Sequence, residues 1–213
     1  MSRIALPSWR LTATLAVLAA LWLAMLLSEG GPLDQRIYRA LYAGGHPLLV
    51  STARFFTFFG EPTVLVVAGF LVAGWLWLRS RGRLALSLLL LILLGRGLSE
   101  IQKYTFARPR PAIEPHLVMV KTWSFPSGHA ASSMIFYLTM ALALTIGRPW
   151  HRGALAGAIL LSLLVGTSRV VLGVHWPSDV IGGWAFGMWW VLLTLRTSER
   201  LFQVNSENRR TAV

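Results

Sequence analysis

Six long apolar stretches constrain this chain more than any other feature of its sequence. They cover residues 11–27, 63–78, 84–102, 130–147, 153–172 and 180–196. A helix needs about 20 mainly apolar residues, within a range of about 17–25, to cross the hydrocarbon core of a bilayer. Since 55% of the 213 residues are hydrophobic and only 13% are charged, the composition is typical of a membrane protein. The sequence therefore predicts an all-α polytopic membrane protein with six transmembrane helices in a bundle.

The segment between the first two apolar stretches, residues 28–62, mixes charged and apolar side chains. Within it, Leu33, Ile37 and Leu41 recur at helical spacing, which predicts short amphipathic helices lying along the membrane interface. The preceding stretch has a long apolar core and is followed by no convincing small-x-small cleavage site. We therefore expect an uncleaved first helix and not a signal peptide.

Arginines flank the apolar stretches and account for most of the formal net charge of +12. They are Arg3 and Arg10 before the first span, Arg79, Arg81 and Arg83 after the second, Arg148 and Arg152 after the fourth, and Arg196, Arg200, Arg209 and Arg210 after the sixth. With six spans, all four groups fall on one side of the membrane, which the positive-inside rule makes the cytoplasm. This placement fits membrane orientation better than a nucleic-acid-binding face. The chain contains no cysteine, so disulfides and thiolate metal ligands are excluded.

The orientation defines the expected organisation of the whole chain. We expect residues 1–213 to form a single membrane domain, with residues 198–213 as a cytoplasmic tail. Both termini are then cytoplasmic, and the membrane is expected to be a cytoplasmic (inner) membrane.

Three polar stretches lie at helix ends that this topology places on the outer face. They read "KYTFARPRP" over Lys103 to Pro111, "PSGH" over Pro126 to His129, and "SRVVLGVHWPSD" over Ser168 to Asp179. Although they are separated in sequence, alternating helix direction brings all three to the same membrane face. We therefore expect one composite site there.

Cations and a helix start together indicate a phosphate-binding pocket. Lys103, Arg110 and Arg169 would concentrate three positive charges, which repel each other until a polyanion binds. Ser127 and Gly128 precede a helix whose first backbone N–H groups can bind a tetrahedral oxyanion. Gly128 allows close backbone approach, and the Ser127 hydroxyl can donate to a phosphate oxygen.

Two histidines supply candidate chemistry beside that pocket. Asp179 follows His175 by four residues, so its carboxylate can reach one ring nitrogen and leave the other with a lone pair for nucleophilic attack. The stretch "WPSD" predicts a helix start with Ser178 as its cap. His129 is placed to protonate a leaving oxygen, which is worth about 10²–10⁴ in rate.

The three stretches resemble the signature of the type 2 phosphatidic acid phosphatase superfamily: K-x6-R-P, P-S-G-H and S-R-x5-H-x3-D. All three parts match in residue, order and spacing, and six spans match the membrane branch. The resemblance implies a phosphohistidine on His175, orientation of that ring by Asp179, and proton donation and later water activation by His129. It implies that the phosphoryl oxygens are held by Lys103, Arg110, Arg169, Ser127 and the Gly128 amide. It implies no metal ion and no other cofactor.

The expected function is hydrolysis of a lipid phosphate or pyrophosphate at the outer membrane face. Undecaprenyl pyrophosphate is the best guess at the substrate, with phosphatidylglycerol phosphate or phosphatidic acid as the alternative. Transfer of the phosphoryl group to another lipid or sugar is a second hypothesis. A vanadium haloperoxidase, which uses the same pocket in this superfamily, is disfavoured by the six spans, and a non-catalytic lipid binder or transporter is the last alternative. The oligomeric state is left open.

Arg108, and the pair formed by Arg96 and Glu100, each have two alternative roles. Arg108 also stands before a proline, but the spacing from Lys103 selects Arg110, so Arg108 is expected to contact the site from behind or to bind a lipid headgroup. Arg96 and Glu100 lie one helical turn apart, which favours an ion pair supporting Lys103 over a direct substrate role.

His116 and Lys121 lie in the long outer loop between the third and fourth spans. An ordinary loop role is favoured for both, and contact with a substrate headgroup is the alternative.

Overall fold

The computed structural model describes the backbone of residues 8–210 and the side chains of residues 9–195. Over that range the chain is all-α, as predicted. Its helices are α1 (Ser8–Ser28), α2 (Pro32–Leu41), α3 (Pro47–Phe58), α4 (Pro62–Leu78), α5 (Gly82–Phe106), α6 (Gly128–Thr145), α7 (His151–Val171) and α8 (Pro177–Arg210). Arg3, residues 211–213 of the predicted tail and the side chains of Arg196, Arg200, Arg209 and Arg210 lie outside the described residues.

Six segments are long and apolar enough to cross a membrane, which confirms the predicted architecture. They are Trp9–Ser28, Pro47–Leu78, Gly82–Phe106, Gly128–Thr145, His151–Val171 and Pro177–Leu195. The second combines α3 and α4, which are separated only by the turn at residues 59–61. The short helices predicted after the first span are present as α2 and α3. In α2 the apolar Leu33 is exposed, whereas Asp34 and Tyr38 are buried against the bundle.

Helix α6 is the centre of the bundle and packs against α5, α7 and α8. Of its apolar membrane-spanning segment, 67% is buried inside the protein, compared with 6% for that of α1. Its first turns contain small residues such as Ala130, Ala131 and Ser133, all fully buried. Small side chains let neighbouring helices approach closely, which is the main source of packing energy between helices in lipid. The helix that carries the "PSGH" motif is therefore fixed from several sides.

The helix ends that carry the three motifs are set by local sequence. Helix α5 ends where Ala107 adopts a left-handed conformation (φ 44°), and the following Pro109 and Pro111 prevent its continuation. Helix α8 begins at Pro177, whose fixed φ suits a first helical position. The backbone N–H of Ser127 donates to the Asp179 carbonyl at 2.9 Å. This bond joins the start of α6 to the start of α8.

The predicted ion pair between Arg96 and Glu100 is wrong, since no contact within 4.0 Å joins their charged groups. Their spacing places them on one side of α5, but the two side chains face different neighbours. Arg96 lines a small cavity between α4, α5 and α6, and its Nη1 has no hydrogen-bond partner within the described residues. Glu100 instead points towards the start of α6, where its Oε1 lies 3.9 Å from the position of a Cβ on Gly128.

Candidate active site

The three motifs meet at one end of the bundle through direct hydrogen bonds. Lys103 Nζ donates to the Trp123 carbonyl at 3.0 Å, which joins the end of α5 to the loop before α6. Arg110 Nη1 donates to the Val174 carbonyl at 2.6 Å, which joins the α5–α6 loop to the α7–α8 connection. The structure therefore brings together the segments that the sequence predicted to converge.

His175 is the most enclosed of the histidines in this site, with only 2% of its surface exposed. Its Nδ1 lies 3.4 Å from Asp179 Oδ2, a long separation for a hydrogen bond. Ser124 bridges the two groups, because its Oγ lies 3.3 Å from His175 Nδ1 and donates to Asp179 Oδ2 at 2.5 Å. The backbone N–H of Trp176 also donates to Oδ2, at 2.8 Å.

The other ring nitrogen of His175 contacts an arginine, and this contact shows which tautomer is present. Arg110 Nη1 lies 3.1 Å from His175 Nε2. Because a guanidinium can only donate, Nε2 must be the acceptor and the ring proton must reside on Nδ1. Burial lowers the pKa of His175 well below its ordinary value, and nearby positive charges, first that of Arg110, lower it further. The ring is therefore neutral, with its lone pair on Nε2.

Arg108 forms a buried ion pair with Asp179, with 2.9 Å between Nη1 and Oδ1. Its guanidinium also donates to the Met25 carbonyl at 2.8 Å and to the Leu26 carbonyl, and it lies over the Phe125 ring at 4.3 Å. The side chain is 5% exposed. Of the two alternatives for Arg108, the structure favours support of the site from behind over contact with a lipid headgroup.

Asp34 of α2 holds the start of α8, a role that the sequence had suggested for Ser178. The backbone N–H of Ser178 donates to Asp34 Oδ1 at 2.8 Å, and the Ser178 hydroxyl donates to Asp34 Oδ2 at 2.5 Å. The same hydroxyl accepts a hydrogen bond from Arg108. The prediction that Ser178 caps its own helix is therefore wrong, because its hydroxyl is engaged by these two charged side chains.

Three cations of the site have no carboxylate counter-ion within 4.0 Å among the described residues: Lys103, Arg110 and Arg169. Lys103 is 3% exposed and Arg169 is 5% exposed. Arg169 donates to Thr57 Oγ1 at 2.7 Å, while its Nε has no hydrogen-bond partner in the part of the chain described. Burial lowers the pKa of Arg110 to about 10, so it still carries its charge at neutral pH. Burying unpaired cations is costly, and a bound anion removes that cost.

The first turn of α6 faces these cations and contains hydrogen-bond donors that have no acceptor among the described residues. Ser127 precedes the helix without making a side-chain cap, and its buried Oγ has no partner within the described residues. The backbone N–H groups of Gly128, His129 and Ala130 likewise meet no acceptor within that range. A Cβ on Gly128 would lie 3.3 Å from Lys103 Cε, so the glycine lets the lysine approach the backbone. This geometry suits a tetrahedral oxyanion.

His129 lies in this first turn of α6, and its imidazole is paired with the carboxylate of Glu61. Its Nε2 is 3.4 Å from Glu61 Oε2, close enough for an ion pair, although the orientation does not satisfy hydrogen-bond geometry. The His129 side chain is 13% exposed and that of Glu61 is 50% exposed. Ser127, two residues before His129, donates its backbone N–H to the Asp179 carbonyl, which joins the start of α6 to the segment that carries His175. The two predicted catalytic histidines thus belong to one site.

Four residues of this site were missed from the sequence: Thr57, Glu61, Ser124 and Asp34. Thr57 and Glu61 flank the turn between α3 and α4, where "GEP" signals a helix start but not its partner. Ser124 stands two residues before Pro126, within reach of the motif. Asp34 is the acidic residue in the first turn of a helix with Pro at its start, a pattern that is typical of a helix start and does not identify a partner for the carboxylate.

His116 and Lys121 lie outside this cluster of contacts. Both are exposed in the α5–α6 loop, and His116 Nε2 contacts the Pro111 carbonyl at 2.8 Å. The structure favours a local loop role for His116.

Comparison with known proteins agrees with this arrangement. The sequence model of the PAP2 superfamily matches residues 84–203. An undecaprenyl-diphosphatase from Sulfolobus acidocaldarius is 38% identical over 107 residues, which are 46% of this chain and 48% of that protein. The putative undecaprenyl-diphosphatase YbjG of Escherichia coli is 33% identical over 67% of this chain and 70% of its own length. The match therefore spans about half the length of the first relative and more of the second.

A solved structure extends the similarity over most of the fold. The crystal structure of a transmembrane PAP2-type phosphatidylglycerolphosphate phosphatase from Bacillus subtilis superposes with a TM-score of 0.77 at 27% identity. The match covers 88% of this chain and 96% of that one. The six apolar helices and these relatives identify an integral membrane protein. From its matching motifs, sequence and fold, this chain belongs to the PAP2 superfamily.

Proposed function

We propose that this chain is a membrane lipid phosphatase that hydrolyses a phosphate or pyrophosphate ester of a lipid through a phosphohistidine on His175. The observation that carries the proposal is a set of three cations without a carboxylate counter-ion among the described residues: the buried Lys103 and Arg169 and the half-buried Arg110, near the neutral imidazole of His175. Such a pocket stabilises the negative charge of a transferring phosphoryl group, which is most of what catalysis of this reaction requires.

In the first step, Nε2 of His175 attacks phosphorus and the bond from phosphorus to the leaving oxygen breaks. Arg110 Nη1 moves from Nε2 to a phosphoryl oxygen when the substrate binds, since both compete for the same donor. Asp179 stabilises the charge that develops on the ring. His129 gives its proton to the leaving lipid oxygen.

In the second step, a water oxygen attacks the phosphorus of the phosphohistidine and forms the new P–O bond. His129, now neutral, takes one proton from that water, and the N–P bond breaks to release inorganic phosphate. His175 returns to its neutral form and His129 to its protonated form. Atoms and protons therefore balance over one turnover.

For the substrate we favour undecaprenyl pyrophosphate, in line with the names of two relatives from different organisms. The alternative is phosphatidylglycerol phosphate or phosphatidic acid, and the Bacillus subtilis structure supports the former of these. We further propose that residues 1–213 form one domain in a bacterial cytoplasmic membrane. The termini and the tail from residue 198 are then cytoplasmic, and the site faces outwards.

The test is phosphate release by purified protein in detergent from a panel containing undecaprenyl pyrophosphate, phosphatidylglycerol phosphate and phosphatidic acid. We expect turnover by the wild type, none by His175→Ala, and a strong loss with His129→Ala. We also expect activity to persist in EDTA and to be inhibited by vanadate, which adopts the five-coordinate geometry of phosphoryl transfer. Loss of activity in EDTA would contradict the expected independence from metal ions.

The remaining alternatives predict other outcomes of the same assays. A phosphotransferase passes radiolabelled phosphate to an added lipid or sugar acceptor instead of releasing it. A haloperoxidase halogenates in the presence of vanadate and peroxide. A lipid binder or transporter retains its biological activity when His175 is replaced by alanine.

A further inference from the structure

The turn between α3 and α4, residues 59–61, carries a carboxylate into the candidate active site. Glu61 Oε2 lies 3.4 Å from Nε2 of His129, and this is the only ion pair that Glu61 makes among the described residues. Glu61 also stands immediately before α4, yet it makes no side-chain cap for that helix. Its carboxylate is therefore directed at the imidazole and does not serve the helix end.

The turn is held against α6 by features that suit this contact. Tyr137 of α6 donates its hydroxyl proton to the Phe59 carbonyl at 2.7 Å. Gly60 is buried, and a Cβ there would lie 2.2 Å from Val165 and 3.3 Å from Cδ2 of His129. Any larger residue would push the turn away from the ring. Pro62 then fixes the start of α4 directly after Glu61.

The charges around His129 act on its proton in opposite directions. Positive charges near the ring disfavour an imidazolium: Lys103 of α5 approaches the backbone at Gly128, and Arg169 of α7 binds Thr57 beside the turn that carries Glu61. Glu61 is the negative group that favours it. A bound phosphate adds negative charge and offsets the cations, so that the imidazole can carry the proton needed by the leaving oxygen.

We propose that Glu61 is a positioning residue that orients His129 and stabilises its protonated form for delivery of the leaving-group proton. This inference rests on the proposed phosphatase function. The carboxylate faces Nε2. The proton is therefore delivered from Nδ1, the ring nitrogen on the other side of the imidazole. In the second step the same nitrogen takes the proton from water, and the carboxylate again balances the imidazolium.

The test compares Glu61→Gln with the wild type on two phosphate monoesters. One is the lipid monophosphate that the wild type hydrolyses fastest. Its leaving group is an alkoxide, which needs a proton in order to leave. The other is p-nitrophenyl phosphate, whose phenolate leaves without one. We expect kcat/KM to fall about 10–100-fold on the lipid and by less than about 3-fold on p-nitrophenyl phosphate.

The pH profile gives an independent readout that a purely structural role does not move. Without the carboxylate, the imidazolium is less favourable and the proton is lost at lower pH, so the alkaline limb of kcat/KM should shift to lower pH in Glu61→Gln. Glu61→Asp keeps the charge and should recover part of the rate and the wild-type limb. Glu114→Gln, an exposed carboxylate of the outer loop, is the matched control and should behave as the wild type.

The outcomes separate the two proposals. If the wild type releases phosphate from no lipid in the panel, the phosphatase proposal fails. If the wild type turns over but Glu61→Gln has the same rate and pH profile, only the role of Glu61 is overturned. Equal losses on both substrates with an unmoved pH limb and no recovery in Glu61→Asp also overturn it, because they indicate damage to the fold.

Discussion

The site contains two histidine–carboxylate pairs that share one separation and differ in everything around it. Both pairs are 3.4 Å apart, His175 Nδ1 from Asp179 and His129 Nε2 from Glu61. Asp179 has no exposed surface and is also bound by Arg108, Ser124 and the Trp176 backbone, whereas half of the Glu61 side chain is exposed. The Asp179 carboxylate is fixed by several partners, whereas the Glu61 carboxylate has the imidazole as its one ion-pair partner among the described residues.

The difference in surroundings suits two different tasks. The negative charge of Asp179 is balanced by Arg108 at 2.9 Å, so it orients His175 without drawing a second proton onto the ring. A nucleophile needs this state, with a lone pair held in a fixed direction. Glu61 has no arginine within 4.0 Å in the described part of the chain, so its charge is available to stabilise a proton on His129. A group that acts as both acid and base in each turnover needs such a carboxylate, because it must hold a proton in one step and accept one in the next.

The largest expected effect separates the two histidines. Replacing His175 with alanine removes the nitrogen that we propose bonds to phosphorus, so we expect kcat to fall at least about 10⁴-fold and no labelled phosphoprotein to form. Replacing His129 with alanine should cost about 10²–10⁴-fold but leave phosphohistidine formation from p-nitrophenyl phosphate detectable. Both expectations are measured by stopping the reaction during turnover of radiolabelled phosphate substrate and counting the acid-labile label on the protein. Labelling of His175→Ala would contradict the assignment.

The next effect tests the buried carboxylate. In Asp179→Asn the guanidinium of Arg108 remains buried without its counter-ion, and we expect a loss of about 3–5 kcal/mol in stability. Activity should fall about 10⁴-fold, because the amide no longer fixes the ring proton on Nδ1. The thermal midpoint in detergent and kcat are the measurements.

A double variant separates pairing from orientation in that result. Asp179→Asn combined with Arg108→Gln removes both charges and should recover part of the thermal midpoint without recovering kcat. A midpoint for Asp179→Asn equal to that of the wild type would show that the ion pair does not stabilise the fold.

The sequence predicted the motif residues of this site better than the residues that hold them in place. Membrane spans follow from hydropathy, and their alternating direction brought Lys103, Ser127 and His175 to one face. By contrast, Asp34 and Ser178 are joined across 144 positions of sequence by packing of α2 on α8. No periodicity encodes such a contact.

Spacing alone also left side-chain partners undecided. Arg96 and Glu100 are correctly placed for an ion pair on α5, but the side chains turn to the cavity beside α4 and to the start of α6. Glu61 lay in a segment predicted as interfacial. The close approach at Gly60 and the contacts of Thr57 and Glu61 show that this segment reaches the site, which its sequence pattern did not indicate.

A smaller effect is expected at Asp34, which supports the buried pair from one step further away. Asp34→Asn weakens two hydrogen bonds to Ser178, and we expect stability to fall by about 1.5–3 kcal/mol. Since α8 carries Asp179, kcat should fall by a few-fold with little change in KM. Glu29→Gln, an exposed acid near the same helix end, is the control and should leave both quantities unchanged. A rise in KM with unchanged kcat would point to substrate binding instead.

The smallest effect is the part of the pH dependence of stability that His175 contributes. The folded pKa of His175 lies well below the ordinary value because of burial, so the unfolded chain takes up a proton at this position more readily than the native one. The contribution is therefore complete above about pH 6.5 and is lost as the pH falls below it, by at most about 1.4 kcal/mol per pH unit. Unfolding of the wild type and His175→Gln compared at pH 7.5, 6 and 5 isolates this slope. We expect the variant to lose it, whereas His46→Gln, which replaces an exposed imidazole, should keep the wild-type slope. Equal slopes in wild type and His175→Gln would mean that His175 takes up a proton in the native state, and an imidazole that does so cannot offer the lone pair that attacks phosphorus.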